Sequence, residues 1–92
     1  MLNETLRVLS LRGNAGLVGS IPPQFGSFLH LERFVANGNA LQGLVPMELG
    51  GLQYLRQLDL SNNKLQGEVP SSIGKLKELV VLDLSRNRLS GE

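Results

Sequence analysis

Pro22, Pro46 and Pro70 recur at a constant interval of 24, and the same interval separates Gly26, Gly50 and Gly74. Gly19, Gly43, Gly67 and Gly91 keep it too, as do Asn39, Asn63 and Asn87. Coincident columns over nearly four copies mark a repeating chain and constrain the fold more than any single segment does. Asn14 breaks its column by one position, because Asn14-Ala15-Gly16-Leu17 is longer by one than Asn39-Ala40-Leu41. Each unit reads L-x-x-L-x-x-L-x-L-x-x-N-x-L-x-G-x-(I/V)-P-x-x-(L/I/F)-G-x. The third copy is the cleanest, with Leu52, Leu55, Leu58, Leu60, Asn63, Leu65, Gly67, Val69, Pro70, Ile73 and Gly74. The pattern divides the chain into repeats of roughly 3–27, 28–51, 52–75 and a truncated 76–92. The composition is that of the repeat: 20 Leu, 11 Gly and 7 Asn supply 38 of 92 positions.

The segment Gln57-Leu58-Asp59-Leu60-Ser61 alternates polar and apolar residues with period two, which predicts a half-buried strand. Its counterparts begin at Val8, Arg33 and Val81. Strands that recur once per repeat, always in one direction, cannot pair through hairpins. They pair as a parallel sheet if every unit completes one coil and returns. Inward side chains then stack in ladders such as Leu6/Leu31/Leu55/Leu79 and Leu17/Leu41/Leu65/Leu89. A buried Leu contributes about 1.5–3 kcal/mol, and only stacking between coils lets that sum offset chain entropy. Asn14, Asn39, Asn63 and Asn87 form a polar ladder, placed where the chain turns inward past the strand. Their amides can satisfy backbone groups of adjacent coils. The Gly after the fifth Leu predicts a tight turn with positive φ. The return, as in Ser71-Ser72-Ile73-Gly74-Lys75-Leu76, is too short for an α-helix and predicts 3₁₀ or irregular structure.

L-x-x-L-x-L-x-x-N-x-L is the leucine-rich-repeat signature. The continuation Leu65-Gln66-Gly67-Glu68-Val69-Pro70-Ser71-Ser72-Ile73-Gly74 resembles the plant-specific class of that repeat. So do the strand sequences Leu58-Asp59-Leu60-Ser61-Asn62-Asn63 and Leu82-Asp83-Leu84-Ser85-Arg86-Asn87. The resemblance implies an α/β-type solenoid of about four repeats. It would be a right-handed coil with a parallel β-sheet on its concave face and mostly 3₁₀ or irregular returns. Members of the class are chiefly ectodomains of plant receptor kinases and receptor-like proteins, together with wall proteins that inhibit polygalacturonases. The irregular Gly13-Asn14-Ala15-Gly16-Leu17-Val18-Gly19 is most similar to some receptor-like proteins.

Several function classes fall away on composition. Zero Cys excludes a disulfide scaffold and thiolate metal sites. It also means that the capping Cys pairs usual in secreted plant solenoids are missing here. A net charge of +1 gives no electrostatic footprint for nucleic acid. The longest apolar run, Leu79-Val80-Val81-Leu82, is far too short to span a bilayer. No Gly-x-Ser-x-Gly, phosphate-loop or His-Glu-x-x-His motif occurs, so no catalytic, cofactor or metal residue is assigned. His30, alone beside Phe28 and Leu31, reads as a surface residue. Lys64, Lys75 and Lys77 read as a solvated patch.

Solenoids of this kind bind through the outward positions of the concave sheet. Those are Val8, Ser10 and Arg12; Arg33, Val35 and Asn37; Gln57, Asp59 and Ser61; and Val81, Asp83 and Ser85. The first two strands lean basic and the last two acidic, a gradient able to orient a partner. Asp59 and Asp83 follow the class consensus. Arg12, Arg33, Val35 and Val81 depart from it and are the better candidates for specificity, with Val8, Val35 and Val81 expected to be exposed. The resemblance implies a protein or peptide ligand and a co-receptor, in signalling or defence, on a plasma-membrane or extracellular ectodomain. Asn3-Glu4-Thr5 is a sequon compatible with an extracellular glycoprotein. Two other readings are an inhibitor of a wall-degrading glycoside hydrolase and, with Met1 taken as the start, a short intracellular scaffold. Open terminal coils predict self-association of the isolated chain.

Overall fold

The computed structural model describes residues 6–11 and 18–90. Each of the four coils carries two short strands, and a 3₁₀ turn follows them in the first three. The order is β1 (Val8–Ser10), β2 (Val18–Gly19), a turn at Pro23–Ser27, β3 (Arg33–Val35), β4 (Ala40–Gly43) and a turn at Met47–Gly51. It continues with β5 (Gln57–Asp59), β6 (Lys64–Glu68), a turn at Ser71–Lys75, β7 (Val81–Asp83) and β8 (Arg88–Ser90). Odd strands form one four-stranded sheet in the order β1-β3-β5-β7, and even strands form another in the order β2-β4-β6-β8. Every pairing is parallel.

The first sheet keeps the repeat in register. Val8, Arg33, Gln57 and Val81 align, as do Ser10, Val35, Asp59 and Asp83. The insertion in the first repeat is therefore absorbed outside this sheet. The returns are 3₁₀, five residues each. Pro22, Pro46 and Pro70 hold φ near −65°, −66° and −60° and place an extended residue ahead of each turn. Their carbonyls accept from the N–H of Phe25, Leu49 and Ile73 at 3.1, 3.2 and 3.1 Å, which turns those side chains into the core.

The second sheet departs from the sequence expectation of a tight turn after the fifth Leu. Gly19, Gly43 and Gly67 do take positive φ, at 92°, 82° and 80°, but they lie within strands. Pairing here is staggered. Val18 faces Ala40, Gln42 faces Lys64 and Gln66 faces Arg88, so each pair falls short of a full repeat by two positions. A slip of two keeps every side chain on its own face, because strand alternation has period two. Thus β6 pairs Lys64–Leu65 with β4 and Gln66–Glu68 with β8.

Between the sheets and the turns lies one core. Leu31, Leu49, Leu52, Leu55, Leu58, Leu60 and Leu65 are fully buried, with Phe34 and Ala36 in the same ladders. Phe25 packs edge-to-face on Phe34, centroids 5.6 Å apart at 74°. Burial depends on having a coil on both sides: Leu58 is 0% exposed, whereas its register partner Leu82 is 46% exposed.

The Asn ladder ties the coils together where the two sheets meet. Asn63 is buried, and its Nδ2 donates to the carbonyls of Ala36, Leu60 and Ser61 at 3.0 Å each. Its Oδ1 accepts from the Leu41 N–H at 3.1 Å. Asn87 repeats this, donating to Leu60 and Leu84 and accepting from Leu65 N–H at 3.0 Å. Asn39 donates to the Leu11 and Ala36 carbonyls at 2.9 Å. Its Oδ1 is buried without a partner among the described residues. In the next two steps of the ladder the corresponding oxygen accepts from the Leu41 and Leu65 N–H. Asn14 and Asn3 lie outside the described residues.

Candidate functional site: the concave sheet

The first sheet presents three outward columns. The strand-start column is Val8, Arg33, Gln57 and Val81; the middle column is Ser10, Val35, Asp59 and Asp83. The third column follows the strands and holds Asn37, Ser61 and Ser85; Arg12, its first member by sequence, lies outside the described residues. Val8 and Val81 are 51% and 46% exposed, but Val35 is only 3% exposed. This corrects the expectation that all three valines are exposed. Val35 sits in an inner strand with a neighbour on either side, whereas β1 and β7 each have one neighbour in the sheet. Ser61 is buried for the same reason, at 4% exposure, while Ser85 is exposed. Neither Val35 nor Ser61 offers much side-chain surface to a partner.

Asp59 and Asp83 have local work to do. One carboxylate oxygen of Asp59 accepts from the Ser61 N–H at 3.0 Å and its hydroxyl at 2.7 Å. Asp83 and Ser85 repeat this at 3.1 and 2.7 Å. These bonds close the turn after the strand, where Asn62 and Arg86 adopt φ of 57° and 56°. The two bonds from Ser85, its hydroxyl first, hold the Asp83 carboxyl below the ordinary aspartate value. A depressed carboxyl stabilises the fold above its unfolded pKa and loses that contribution as pH falls through the folded value. Accordingly, Ser85→Ala should move the Asp83 titration measured by NMR upward, back toward an ordinary aspartate. An unchanged titration would show that the hydroxyl bond is not its cause.

The most distinctive part of this face lies just before and at the strand starts. Glu32, Arg33, Arg56, Gln57, Val80 and Val81 line a concavity of about 330 Å³. Glu32 accepts a bond from Arg7 at 2.7 Å. Both side chains are exposed, so the pair adds little stability, but it occupies the acid. Arg33 and Arg56 have no ion-pair partner among the described residues. Arg33 and Arg56 share this lining with Val80, which is 72% exposed, and Val81, which is 46% exposed. Glu32, Arg56 and Val80 were not singled out from sequence. The available signal was the two-residue gap in L-x-x-L, which leaves both intervening residues outside the core.

Among the described residues no group of His, Asp or Glu is placed to hold a metal ion. No helix among them is long and apolar enough to cross a membrane.

Coils of one concave parallel strand, an inward Asn ladder and a 3₁₀ return define a leucine-rich-repeat solenoid. A family model described as "Leucine Rich repeats (2 copies)" matches residues 55–91. The BIR3–SERK2 complex from Arabidopsis thaliana contains a chain 41% identical, covering 96% of this chain and 47% of that one, with a TM-score of 0.88. The Arabidopsis receptor kinase HAESA, in complex with the peptide hormone IDA and the co-receptor SERK1, is 36% identical. That match covers 96% of this chain and 15% of HAESA, with a TM-score of 0.92. A plant ice-binding protein is 35% identical over 94% of this chain and 28% of its own, with a TM-score of 0.90. Comparison with curated proteins gives no match. The chain is similar to plant leucine-rich-repeat proteins over nearly its whole length, and it spans less than half the length of each of these solved chains. The same coil serves hormone receptors and an ice-binding protein, so the ligand is decided by side chains and not by the fold.

Proposed function

We infer that this chain is a recognition segment of a plant receptor-like ectodomain that binds a protein or peptide on its concave sheet without catalysis. The observation that carries this reading is the concavity at the strand starts. Arg33 and Arg56 offer two guanidiniums without an ion-pair partner among the described residues, and Val80 and Val81 offer apolar surface in the same lining. That combination suits an acidic side chain next to an aliphatic one in an extended peptide. The likeness to receptors solved with peptide hormones and co-receptors supports the same class of partner. This reading retains Arg33, a candidate from sequence, and adds Arg56 to it.

Peptides selected on the immobilised chain should be enriched in Asp or Glu beside Val, Leu or Ile. The double substitution Arg33→Glu/Arg56→Glu should weaken the best of them by at least about tenfold, with an unchanged circular dichroism spectrum. Equal affinity in the double variant would remove this site from consideration.

A further inference from the structure

Away from the concave sheet, the turn between the 3₁₀ return and the next strand repeats in each coil. The N–H groups of Leu31, Leu55 and Leu79 bond to the carbonyls of Phe28, Leu52 and Leu76, so His30, Tyr54 and Glu78 fall into one column. The first two rings stack: the His30 and Tyr54 centroids are 5.8 Å apart and their planes differ by 9°. Continuing the column, a third ring would lie on the other side of Tyr54, and there the sequence has Glu78. On that side a notch of about 310 Å³ is lined by Gln53, Tyr54, Lys75, Lys77 and Glu78. Its volume is at the lower end of those that hold small ligands. Among the described residues Lys75, Lys77 and Glu78 form no ion pair. Lys64, grouped with these lysines by sequence, opens β6 and does not line the notch.

We propose that this notch is a binding site for a hexuronate residue of an acidic polysaccharide, with the sugar ring stacked on Tyr54 and its carboxylate held by Lys75 and Lys77. The chemistry selects the ligand in three ways. The face of an aromatic ring is negative and apolar, and it attracts the weakly positive C–H face of a pyranose. The rim mixes ammonium donors, a carboxylate acceptor and an amide that is both, as a ligand bearing several hydroxyls requires. Two ammoniums against one carboxylate leave one net positive charge, which matches one carboxylate per sugar. A simple inorganic anion would leave the Tyr54 face unused. An aromatic acid would leave Glu78 and Gln53 without hydroxyls to bind. His30 backs Tyr54 from the opposite side and holds the ring in place for stacking.

Galacturonate oligomers titrated into the whole chain test this, with neutral galactose oligomers and polyaspartate as controls. Galacturonate should bind at least about tenfold more tightly than either control. Tyr54→Ala should weaken it by about tenfold, Tyr54→Phe should preserve it, and Lys75→Gln/Lys77→Gln should abolish it. The Arg33→Glu/Arg56→Glu variant should bind galacturonate as the parent does, which separates this site from the concave one. Absence of galacturonate binding, equal binding of polyaspartate, or indifference to Tyr54→Ala would each overturn the proposal. All of these side chains are exposed, and an unchanged melting profile confirms that each variant is folded.

Discussion

Asn63→Ala should lower the stability of the chain by about 3–5 kcal/mol, the largest loss expected from any single polar truncation in it. The Asn63 amide donates to the carbonyls of Ala36, Leu60 and Ser61 and accepts from the Leu41 N–H, linking two coils at the junction of the two sheets. Alanine leaves the buried Leu41 N–H without a partner, at a cost of about 1–3 kcal/mol, and removes one bond from each of the three carbonyls, which keep the Asn39 amide, the Asn87 amide and the Gly38 N–H as donors. A domain of this size has about 5–15 kcal/mol in all, so the variant should unfold at a much lower urea midpoint with an unchanged slope. Asn63→Asp should be at least as damaging, because a second oxygen would then face the carbonyls. Asn87→Ala should cost less, since that site is only partly buried. A loss below about 1 kcal/mol for Asn63→Ala would show that the ladder is dispensable.

The second large effect is steric and has an internal control. A Cβ on Gly50 would fall on the Cβ of Ser72 and only 2.7 Å from its carbonyl oxygen. Ser72 cannot simply move aside, because its hydroxyl donates across the coils to the Met47 carbonyl at 2.8 Å. Gly50→Ala should therefore cost about 2–3 kcal/mol by forcing two coils apart. Gly26 occupies the same column and has the same conflict with the Glu48 backbone, at 2.7 Å. Gly74 continues the column, but a Cβ there meets nothing within 4 Å among the described residues. Gly74→Ala should be neutral or stabilise by up to about 1 kcal/mol, because it reduces the freedom of the unfolded chain. Equal losses at positions 50 and 74 in thermal melts would mean that glycine is needed for backbone conformation and not for close approach.

What could be read ahead of the structure follows from what each feature depends on. The concave strands, the inward leucine ladders and the 3₁₀ returns depend on the periodicity of the chain, which is printed in the sequence. Val35 illustrates the limit. By alternation it points outward, but its burial depends on residues in the two coils beside it. Tyr54 and Lys77 are unremarkable apart; only the stacking of coils puts a ring, two ammoniums and a carboxylate around one notch. The second sheet was hidden for a similar reason. Its strands pair two positions short of a full repeat, and nothing in one coil encodes the slip between two.

The sequence by itself determined the coil: its length, its inward faces, its Asn ladder and its likeness to the plant class of leucine-rich repeat. These are properties of a repeating unit, and periodic side-chain chemistry suffices to specify them. Tertiary structure decided which outward residues are available and which are neighbours. It buried Val35 and Ser61, paired Glu32 with Arg7, left Arg33 and Arg56 without an ion pair among the described residues, and stacked His30 on Tyr54. The physical reason is that exposure and charge pairing arise between coils, across contacts one full repeat apart in the chain. Local pattern fixes the face on which a side chain lies, and the neighbouring coil fixes what it meets there.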